Sequence, residues 1–452
     1  MTLSKVTKIG AAVAATLAAS SAFALDQATT NAAGTTKLVA AGSSAARDAF
    51  LVIMANEICV AGTFDVYRAN PTANQDFRAY SCTLKPSTGA GSIPELGNAG
   101  GKNVELFYRS EGGSAWGAVS IATSTQVMGL DTTDATCLAS ASVNFVVGTT
   151  TITAPTHSCN VSGYSIVGDT VTSGALQLKT VQLGIGDEEP KMYTGTNFPS
   201  STRFSAVNTP AGQTAIKNLA KSSGFGQVFG ILLSTTGTNT SAITSLTKQD
   251  IASIFTANYT DWSQIPGLGL PGGPITIVRR EPGSGTQVAA GAYFAGVNCG
   301  SAYTFVTDAD PPGGPDTDGI IEVGATAVME TTVAGTADSI GLNVFKSPAP
   351  TGTKYVQING ATPDRTNVAR PYDFAFELAL SKVTGLADTA TLFPNSFANG
   401  LIAIAKKASL VPDVASSFAI PSGTNVPGST VSGRPVAFGT RNGNSCLPFQ
   451  GL

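Results

Sequence analysis

Apolar and polar positions follow two alternating patterns along most of the chain. Short apolar runs at residues 37–41 and 104–108 each end in a turn rich in serine and glycine. Apolar residues at helical spacing then follow, at residues 45–58 and 115–122. This order of strand, turn and helix is typical of α/β layered folds. We therefore predict an α/β protein.

A second pattern interrupts the first between residues 131 and 180. This stretch consists largely of threonine, serine, valine and glycine, with few helix formers, which predicts β-hairpins. We expect them to form an insertion that decorates the first lobe and is not part of its core. Farther along, residues 206–222 contain a predicted helix, and the apolar run at 226–233 predicts a buried parallel strand. Thr247 and Asp250 have the spacing of a helix N-cap, which predicts a helix to about residue 257.

The first 24 residues have the order of a secretory signal. Lys5 and Lys8 precede an apolar stretch at residues 9–19, and Ala22-Phe23-Ala24 follows as an A-x-A site. The apolar stretch is shorter than the roughly 20 residues that span a bilayer. We expect cleavage after Ala24 and a mature protein that is periplasmic or secreted.

The rest of the chain is weakly charged and long. Loss of Lys5 and Lys8 takes the formal net charge from −3 to −5, and charged residues are only 12% of the chain. The sequence contains no basic patch for nucleic acid or anionic lipid, so we expect no nucleic-acid partner. A chain of 452 residues exceeds what one hydrophobic core usually organises, which predicts two lobes.

The six cysteines indicate disulfides, because an even number in an exported protein is usually paired. Buried free thiols are the alternative. We predict pairing in sequence order, since two of the pairs close short loops and the third follows by elimination. The predicted pairs are Cys59–Cys82, Cys137–Cys159 and Cys299–Cys446. The sequence lacks C-x-x-C and has His157 as its one histidine, so we expect no zinc site, no Ser-His-Asp triad and no cofactor.

The candidate chemistry concentrates in residues 275–294, ITIVRREPGSGTQVAAGAYF. A strand at 275–278 leads into a glycine-rich turn, and a helix is predicted from Thr286. Hydroxyl and backbone N–H groups at a helix N-terminus attract anions. Arg280 adds a guanidinium that can hold two oxygens of a tetrahedral oxyanion. Taken alone, G-S-G-T is equally explained by a flexible turn.

In its wider context this segment resembles the phosphate-binding proteins of ABC transporters, a family in the type 2 periplasmic binding protein superfamily. Residues 246–294 supply that family's order of a helix ending in Ile-Phe, a Thr-Asp-Trp element, a strand, and R-E-P-G-S-G-T from Arg280 to Thr286. Further segments resemble the family at 41–45 (AGSSA), 109–113 (RSEGG), 184–190 (GIGDEEP) and 339–345 (SIGLNVF). The insertion at 131–180 has no counterpart in the family.

The resemblance implies a two-lobed type II fold that closes around phosphate. The implied ligand residues are Ser43, Ser44, Ser110 and Asp187 from the first lobe, and Arg280, Ser284, Gly285 and Thr286 from the second. A carboxylate such as Asp187 can only accept a hydrogen bond, so it would favour an anion that still has a proton and would repel sulfate. A solvated acidic loop with Glu188 and Glu189 is the alternative for Asp187.

One position departs from the family motif. The family has an aspartate two residues before the serine of G-S-G-T, whereas this chain has Pro282. Neighbouring positions face different ways, so we expect the Glu281 side chain to point elsewhere and not to replace the missing acceptor. The sequence therefore leaves open the choice among phosphate, arsenate and other oxyanions.

We expect residues 36–230 and 363–452 to form the first lobe, and residues 231–362 the second. The leading interpretation is an exported binding protein that delivers phosphate to an ABC permease. The alternative is a secreted structural or matrix protein that self-associates outside the cell, favoured by low surface charge, three disulfides and a hydroxyl-rich insertion. A phosphatase is a third interpretation, disfavoured because the sequence shows no metal cluster and no nucleophile paired with a base.

Overall fold

The computed structural model describes most of the chain after the expected signal segment. The described residues are 25–70, 76–147, 150–165, 170–171, 174–199, 204–301, 303–310, 316–364, 372–407, 417–418, 430–431, 434–435 and 438–451. The predicted signal peptide at residues 1–24 lies outside them. Within the described residues, no helix combines the length and apolarity that a membrane span requires.

A large mixed sheet organises the fold. From one edge to the other its strands are β15 (Ile320–Val323), β14 (Thr276–Arg280), β16 (Ser339–Val344), β12 (Ser222–Ser234), β18 (Ala375–Lys382), β11 (Leu183–Gly186), β1 (Thr36–Gly42), β4 (Asn103–Arg109), β3 (Phe77–Thr83), β2 (Asp65–Asn70), β7 (Thr150–Asn160) and β6 (Leu138–Val147). We call the strands from β18 to β6 the first half of the sheet and those from β15 to β16 the second half. The long strand β12 belongs to both halves.

Shorter strands complete the β-structure. Three of them join the main sheet: β13 (Ser245–Leu246), β17 (Thr353–Ile358) and β19 (Ser417–Phe418). The others form pairs: β5 (Val127–Leu130) with β10 (Leu176–Lys179), β8 (Tyr164–Ser165) with β9 (Thr170–Val171), β20 (Thr430–Val431) with β21 (Arg434–Pro435), and β22 (Gly439–Thr440) with β23 (Gln450–Gly451).

Helices pack against both halves of the sheet. They are α1 (Gln27–Thr30), α2 (Arg47–Val52), α3 (Ser114–Thr123), α4 (Pro210–Lys217), α5 (Thr238–Ala242), α6 (Lys248–Phe255), α7 (Gly285–Ala290), α8 (Thr326–Gly335) and α9 (Pro394–Ile404). Wider π-helical turns at Ile53–Ile58 and Gly291–Ala295 continue α2 and α7. Short 3₁₀ turns lie at Pro94–Ala99, Pro190–Met192, Gly195–Asn197 and Trp262–Gln264. Thr247 caps α6 in a capping box with Asp250, as predicted.

The strand β12 connects the two halves of the sheet. Its N-terminal part pairs with β18 in the first half, and its C-terminal part pairs with β16 and β17 in the second. A separate buried apolar cluster lies on each side, one around Phe50, Leu106 and Leu401, and one around Phe229, Phe374 and Phe376. The lobe boundaries near residues 230 and 362 stay predictions.

Two details of the β-structure differ from the sequence predictions. The run at 226–233 is buried in β12, but every partner strand of β12 is antiparallel. An apolar run indicates that a central strand is buried on both faces, but it does not indicate whether the neighbouring strands are parallel or antiparallel. The insertion does form a hairpin, β6–β7, but β7 pairs in parallel with β2, so the hairpin extends the main sheet instead of only decorating it.

The three predicted disulfides are present. Cys59 is bonded to Cys82, Cys137 to Cys159, and Cys299 to Cys446. The second pair joins the residue just before β6 to β7, and the third joins the segment that follows α7 to the C-terminal segment. The alternative of buried free thiols is therefore wrong.

Candidate functional site

Three parallel strands of the first half of the sheet end together. The central one, β1, is parallel to β11 on one side and to β4 on the other. Carboxyl ends of parallel strands meet at one edge of a sheet, where α/β proteins bind ligands. The residues that directly follow the three strands are Ser43, Ser110 and Asp187, all of them predicted ligand residues and all buried.

Ser43 and Asp187 are joined directly. The Ser43 hydroxyl donates a hydrogen bond to the Asp187 carboxylate and accepts one from the Ala46 N–H at 2.9 Å, just before α2 begins. The Asp187 N–H donates to the hydroxyl of Ser114, the first residue of α3, at 3.2 Å. Asp187 is therefore fixed between the starts of α2 and α3.

The Asp187 carboxylate is deeply enclosed. Asp187, Glu188 and Glu189 are 2%, 1% and 8% exposed, so the alternative of a solvated acidic loop is wrong. Burial raises the pKa of Asp187 to about 6, although hydrogen bonds from Ser43 and Ser114 and the charge of Arg280 act to lower it. Near neutral pH this group is a carboxylate that a modest change in its surroundings can protonate.

Ser110 contacts a carboxylate that the sequence analysis did not single out. Its hydroxyl donates to Asp76 Oδ1 at 2.6 Å, and its N–H donates to the Asp76 carbonyl at 2.8 Å. Arg47, in the first turn of α2, also donates to Asp76 Oδ1 at 2.8 Å. A second buried acceptor thus lies beside the serine that the sequence placed in the site, and it is paired with a cation.

Arg280 ends β14 in the second half of the sheet and is 1% exposed. Its side chain donates to the carbonyls of Val323 at 3.1 Å and Gly324 at 2.9 Å, and to the Thr326 hydroxyl at 3.2 Å. These bonds use three of the five N–H donors of a guanidinium. Burial lowers its pKa, opposed by Glu281, Asp76, Asp187 and Glu111. Arg280 is held rigidly by backbone, with donors left for an anion.

The start of α7 lies directly against the first half of the site. Ser284 is its N-cap residue, and the buried Gly285 and Thr286 form its first turn. A Cβ at Gly285 would come within 2.1 Å of Asp187 Oδ2 and 2.4 Å of Ser114 Oγ, so only glycine permits this approach. The Ala115 N–H also donates to the Gly283 carbonyl at 2.9 Å, which joins α3 to the turn before α7.

Ser44 contributes a contact of a different kind. Its hydroxyl lies 3.0 Å from that of Thr326, the first residue of α8, to which Arg280 donates. Ser44 therefore reaches the guanidinium through one intervening hydroxyl. The starts of α2, α3, α7 and α8 all contribute to the same group of residues, and helix N-termini favour negative charge.

Glu281 is placed next to Arg280 and is half-buried. Its Oε1 atom is enclosed, with no hydrogen-bond partner among the described residues. The carboxylate faces toward Gly324, where a Cβ would lie 3.7 Å from both of its oxygens. Burial and the charges of Glu111, Glu322 and Asp76 raise its pKa to about 8, against Arg280. At neutral pH Glu281 is mostly protonated, so it is a hydrogen-bond donor as well as an acceptor.

The structure brings all eight predicted ligand residues to this junction between the two sheet halves. Sequence reasoning missed Asp76, Ser114 and Thr326. Ser114 could have been identified from its place at the end of the glycine-rich segment R-S-E-G-G-S. Asp76 lies just before β3, and no sequence motif marks it. Thr326 begins α8 behind Ala325, which is not a typical capping residue.

Other candidate groups do not form such a site. Within the described residues, the side chains of Asp308, Asp310 and Asp318 could share a cation, with their ligand atoms within 4.8 Å of one another. Their oxygens accept hydrogen bonds from N–H groups of the same loop, and no further feature there indicates an ion. His157 is held by Asp65 at 2.7 Å and stacked on Tyr67, within strands of the first half.

Comparison with known protein families finds a match for one segment of this chain. Residues 228–392, which contain β14, α7 and Arg280, match the family model of a PBP superfamily domain. This segment is therefore similar to a PBP superfamily domain. Together with the mixed α/β sheet, this match confirms the predicted α/β fold class and the predicted similarity to the periplasmic binding protein superfamily.

One curated relative and several solved structures are also similar. Alkaline phosphatase L of Pseudomonas aeruginosa is 33% identical over 135 residues, which is 26% of this chain and 33% of that protein. The chain thus spans about a third of the length of this relative.

Two solved structures are among those found to be similar. A putative phosphate ABC transporter substrate-binding protein with bound phosphate from Clostridium perfringens is 18% identical, with a TM-score of 0.34 over 49% of this chain and 72% of that chain. An ABC-type phosphate transport receptor from Vibrio cholerae is 16% identical, with a TM-score of 0.30 over 46% and 70%. Scores this low carry no conclusion about the ligand.

Proposed function

We propose that the chain is an exported solute-binding protein that holds a tetrahedral oxyanion, inorganic phosphate first among them, between the two halves of the sheet. The ligand residues would be those of the first half, Ser43, Ser44, Ser110 and Asp187, and those of the second, Arg280, Ser284, Gly285 and Thr286. Delivery to an ABC permease is the biological role that fits such a ligand.

The observation that supports this most is that Arg280 and Asp187 lie at one junction, where each acts on the pKa of the other. Arg280 and the start of α7 supply donors and positive charge, which an anion requires. Asp187 adds a buried acceptor, which an anion tolerates only if it brings a proton. Inorganic phosphate near neutral pH is such an anion, whereas sulfate is not.

Calorimetric titration tests the proposal. The purified mature protein is titrated with phosphate, sulfate and arsenate at two pH values. Phosphate and arsenate should bind at micromolar concentration or below, and sulfate far more weakly. Failure to bind any of the three at up to millimolar concentration would leave the secreted structural protein as the better account.

Hydrolysis of phosphate esters is a second candidate, favoured by the similarity to alkaline phosphatase L. Release of p-nitrophenol from its phosphate ester by the purified protein measures it. A pure binding role predicts no release above that of an equally prepared Arg280→Ala variant. Release that Arg280→Ala abolishes would establish a phosphatase built on the same residues.

A further inference from the structure

A cavity of about 240 Å³ opens beside the oxyanion site. One wall is the residue segment around the start of α2, and a second is the end of β6 in the insertion hairpin. The third wall comes from the other half of the sheet, where β16 ends. The lining residues include Ser44, Arg47, Ala49, Val146, Thr326 and Phe345.

Two short chains of contacts join this cavity to the oxyanion site. Ser44 and Thr326 line the cavity, lie 3.0 Å apart, and Thr326 accepts a hydrogen bond from Arg280. Arg47 also lines it and donates to Asp76, the acceptor of the Ser110 hydroxyl. An anion in contact with Arg280 and Ser110 would thus be one side chain away from the cavity on either side.

The charged groups of the cavity are already paired. Arg47 is bonded to Asp76 and Asp48, Asp48 also to Arg78, and Lys346 to Glu330. The uncharged lining combines the hydroxyls of Ser44, Thr326 and Ser347 with apolar side chains, among them the half-buried Phe345 and the 71% exposed Val146. Paired charges, hydroxyls and apolar side chains together suit an uncharged organic group, and inorganic phosphate has no such group to place there.

We propose that this cavity receives the organic group of a phosphate monoester whose phosphoryl group occupies the oxyanion site as the monoanion, with one proton retained for Asp187. The inference rests on the proposed oxyanion function and narrows its ligand class. The size fits, because an apolar cavity of about 150 Å³ in a protein can hold a benzene ring. It also gives the β6–β7 insertion a role, since Val146 and Val147 near its tip form one wall.

Calorimetry with three probes tests the inference: inorganic phosphate, methyl phosphate and phenyl phosphate. The titrations are made at about pH 5, where a phosphate monoester, with its second pKa at about 6, keeps one proton. The two esters present the same phosphoryl group and differ in the apolar area that the cavity can cover. Phenyl phosphate should bind at least about tenfold more tightly than methyl phosphate. Phenyl phosphate should bind one molecule per protein, and inorganic phosphate should displace it.

The outcomes separate the inference from the function on which it rests. If inorganic phosphate binds but phenyl phosphate binds no better than methyl phosphate, the inference is wrong and the oxyanion function stands. If none of the three binds, the oxyanion function itself fails. Binding of phenyl phosphate that inorganic phosphate cannot displace would place the ester elsewhere and would also overturn the inference.

Two variants locate the organic group. Val146→Ser removes apolar surface from an exposed wall residue, so it should weaken phenyl phosphate at least about threefold and leave inorganic phosphate within about twofold. Val328→Ser, at a 47% exposed valine on α8 outside the cavity lining, is the matched control and should change neither ligand. Ala49→Leu adds volume at a residue that lines the cavity, so it should weaken phenyl phosphate more, with a melting curve as the check on folding. Equal losses for both ligands in Val146→Ser would contradict a separate subsite.

Discussion

The two halves of the candidate site present opposite hydrogen-bonding chemistry. In the first half, Ser43 and Ser110 donate to the buried carboxylates of Asp187 and Asp76. In the second half, Arg280 is fixed by carbonyls, and the start of α7 points at the same place. The first half is rich in acceptors and the second in donors. A partly protonated anion suits both halves, whereas a fully deprotonated one suits only the second.

This contrast assigns affinity mainly to the second half and selectivity mainly to the first. A guanidinium held by backbone supplies charge to any oxyanion. A carboxylate beside it costs binding energy unless the anion offers a proton. Substitutions in the second half should therefore change mainly the affinity for every oxyanion, and substitutions in the first half should change mainly the selectivity between oxyanions.

Removing the main cation should have the largest effect. Arg280→Ala deletes the charge-assisted bonds to the anion, so the affinity for phosphate should fall by at least about 2 kcal/mol, roughly thirtyfold. The affinities for sulfate and phosphate should fall by about the same factor, because the second half does not distinguish a protonated anion from a deprotonated one. Arg280→Lys is the control that keeps the charge, and titration calorimetry measures both. An Arg280→Ala variant that binds as tightly as the wild type would remove the basis of the account.

The contact between the two halves should be nearly as sensitive. Gly285→Ala places a Cβ against Asp187 and Ser114, which forces the start of α7 away from the first half. We expect a loss of roughly tenfold in phosphate affinity, since even a small displacement breaks several hydrogen bonds. Gly335→Ala, where a Cβ meets no atom within 4 Å, is a matched control. Unchanged binding in Gly285→Ala would show that the two halves act independently.

A pH dependence should distinguish Glu281 from the rest of the second half. Its raised pKa, about 8, means that it is mostly neutral at pH 7 and ionised at pH 9, beside Arg280, Glu111, Glu322 and Asp76. Phosphate affinity should therefore fall by up to about tenfold between pH 7 and 9. Glu281→Gln should remove most of this decline. Because phosphate itself titrates in this range, the affinities of the variant and the wild type are compared with each other at each pH. A decline of the same size in Glu281→Gln would assign it to another group.

Most elements of the fold were predictable, because strand and helix periodicity is local. The strands that end at Gly42, Arg109 and Gly186 were all indicated by sequence motifs, and so was α7. Strand direction was not, as the antiparallel neighbours of β12 show. Neither was the register by which β7 joins β2, since pairing between distant segments leaves no local pattern.

The site shows the same division. Ser43, Ser110, Asp187 and Arg280 follow strands within recognisable motifs, so their meeting could be expected. Asp76 could not, because its role depends on the register of β3 against β4. The orientation of Glu281 could be expected only in part. Its side chain does turn away toward Gly324, yet its enclosed carboxylate and raised pKa come from packing that the sequence does not show.

The ratio of phosphate affinity to sulfate affinity tests the division of labour most directly. It should be measured by calorimetry at one pH for the wild type, Asp187→Asn and Arg280→Lys. Asparagine can donate where aspartate can only accept, so Asp187→Asn should bind sulfate better relative to phosphate, and the ratio should drop by about tenfold or more. Arg280→Lys should weaken both anions and leave the ratio nearly unchanged. A ratio that stays constant in Asp187→Asn, or that falls as far in Arg280→Lys, would contradict the account.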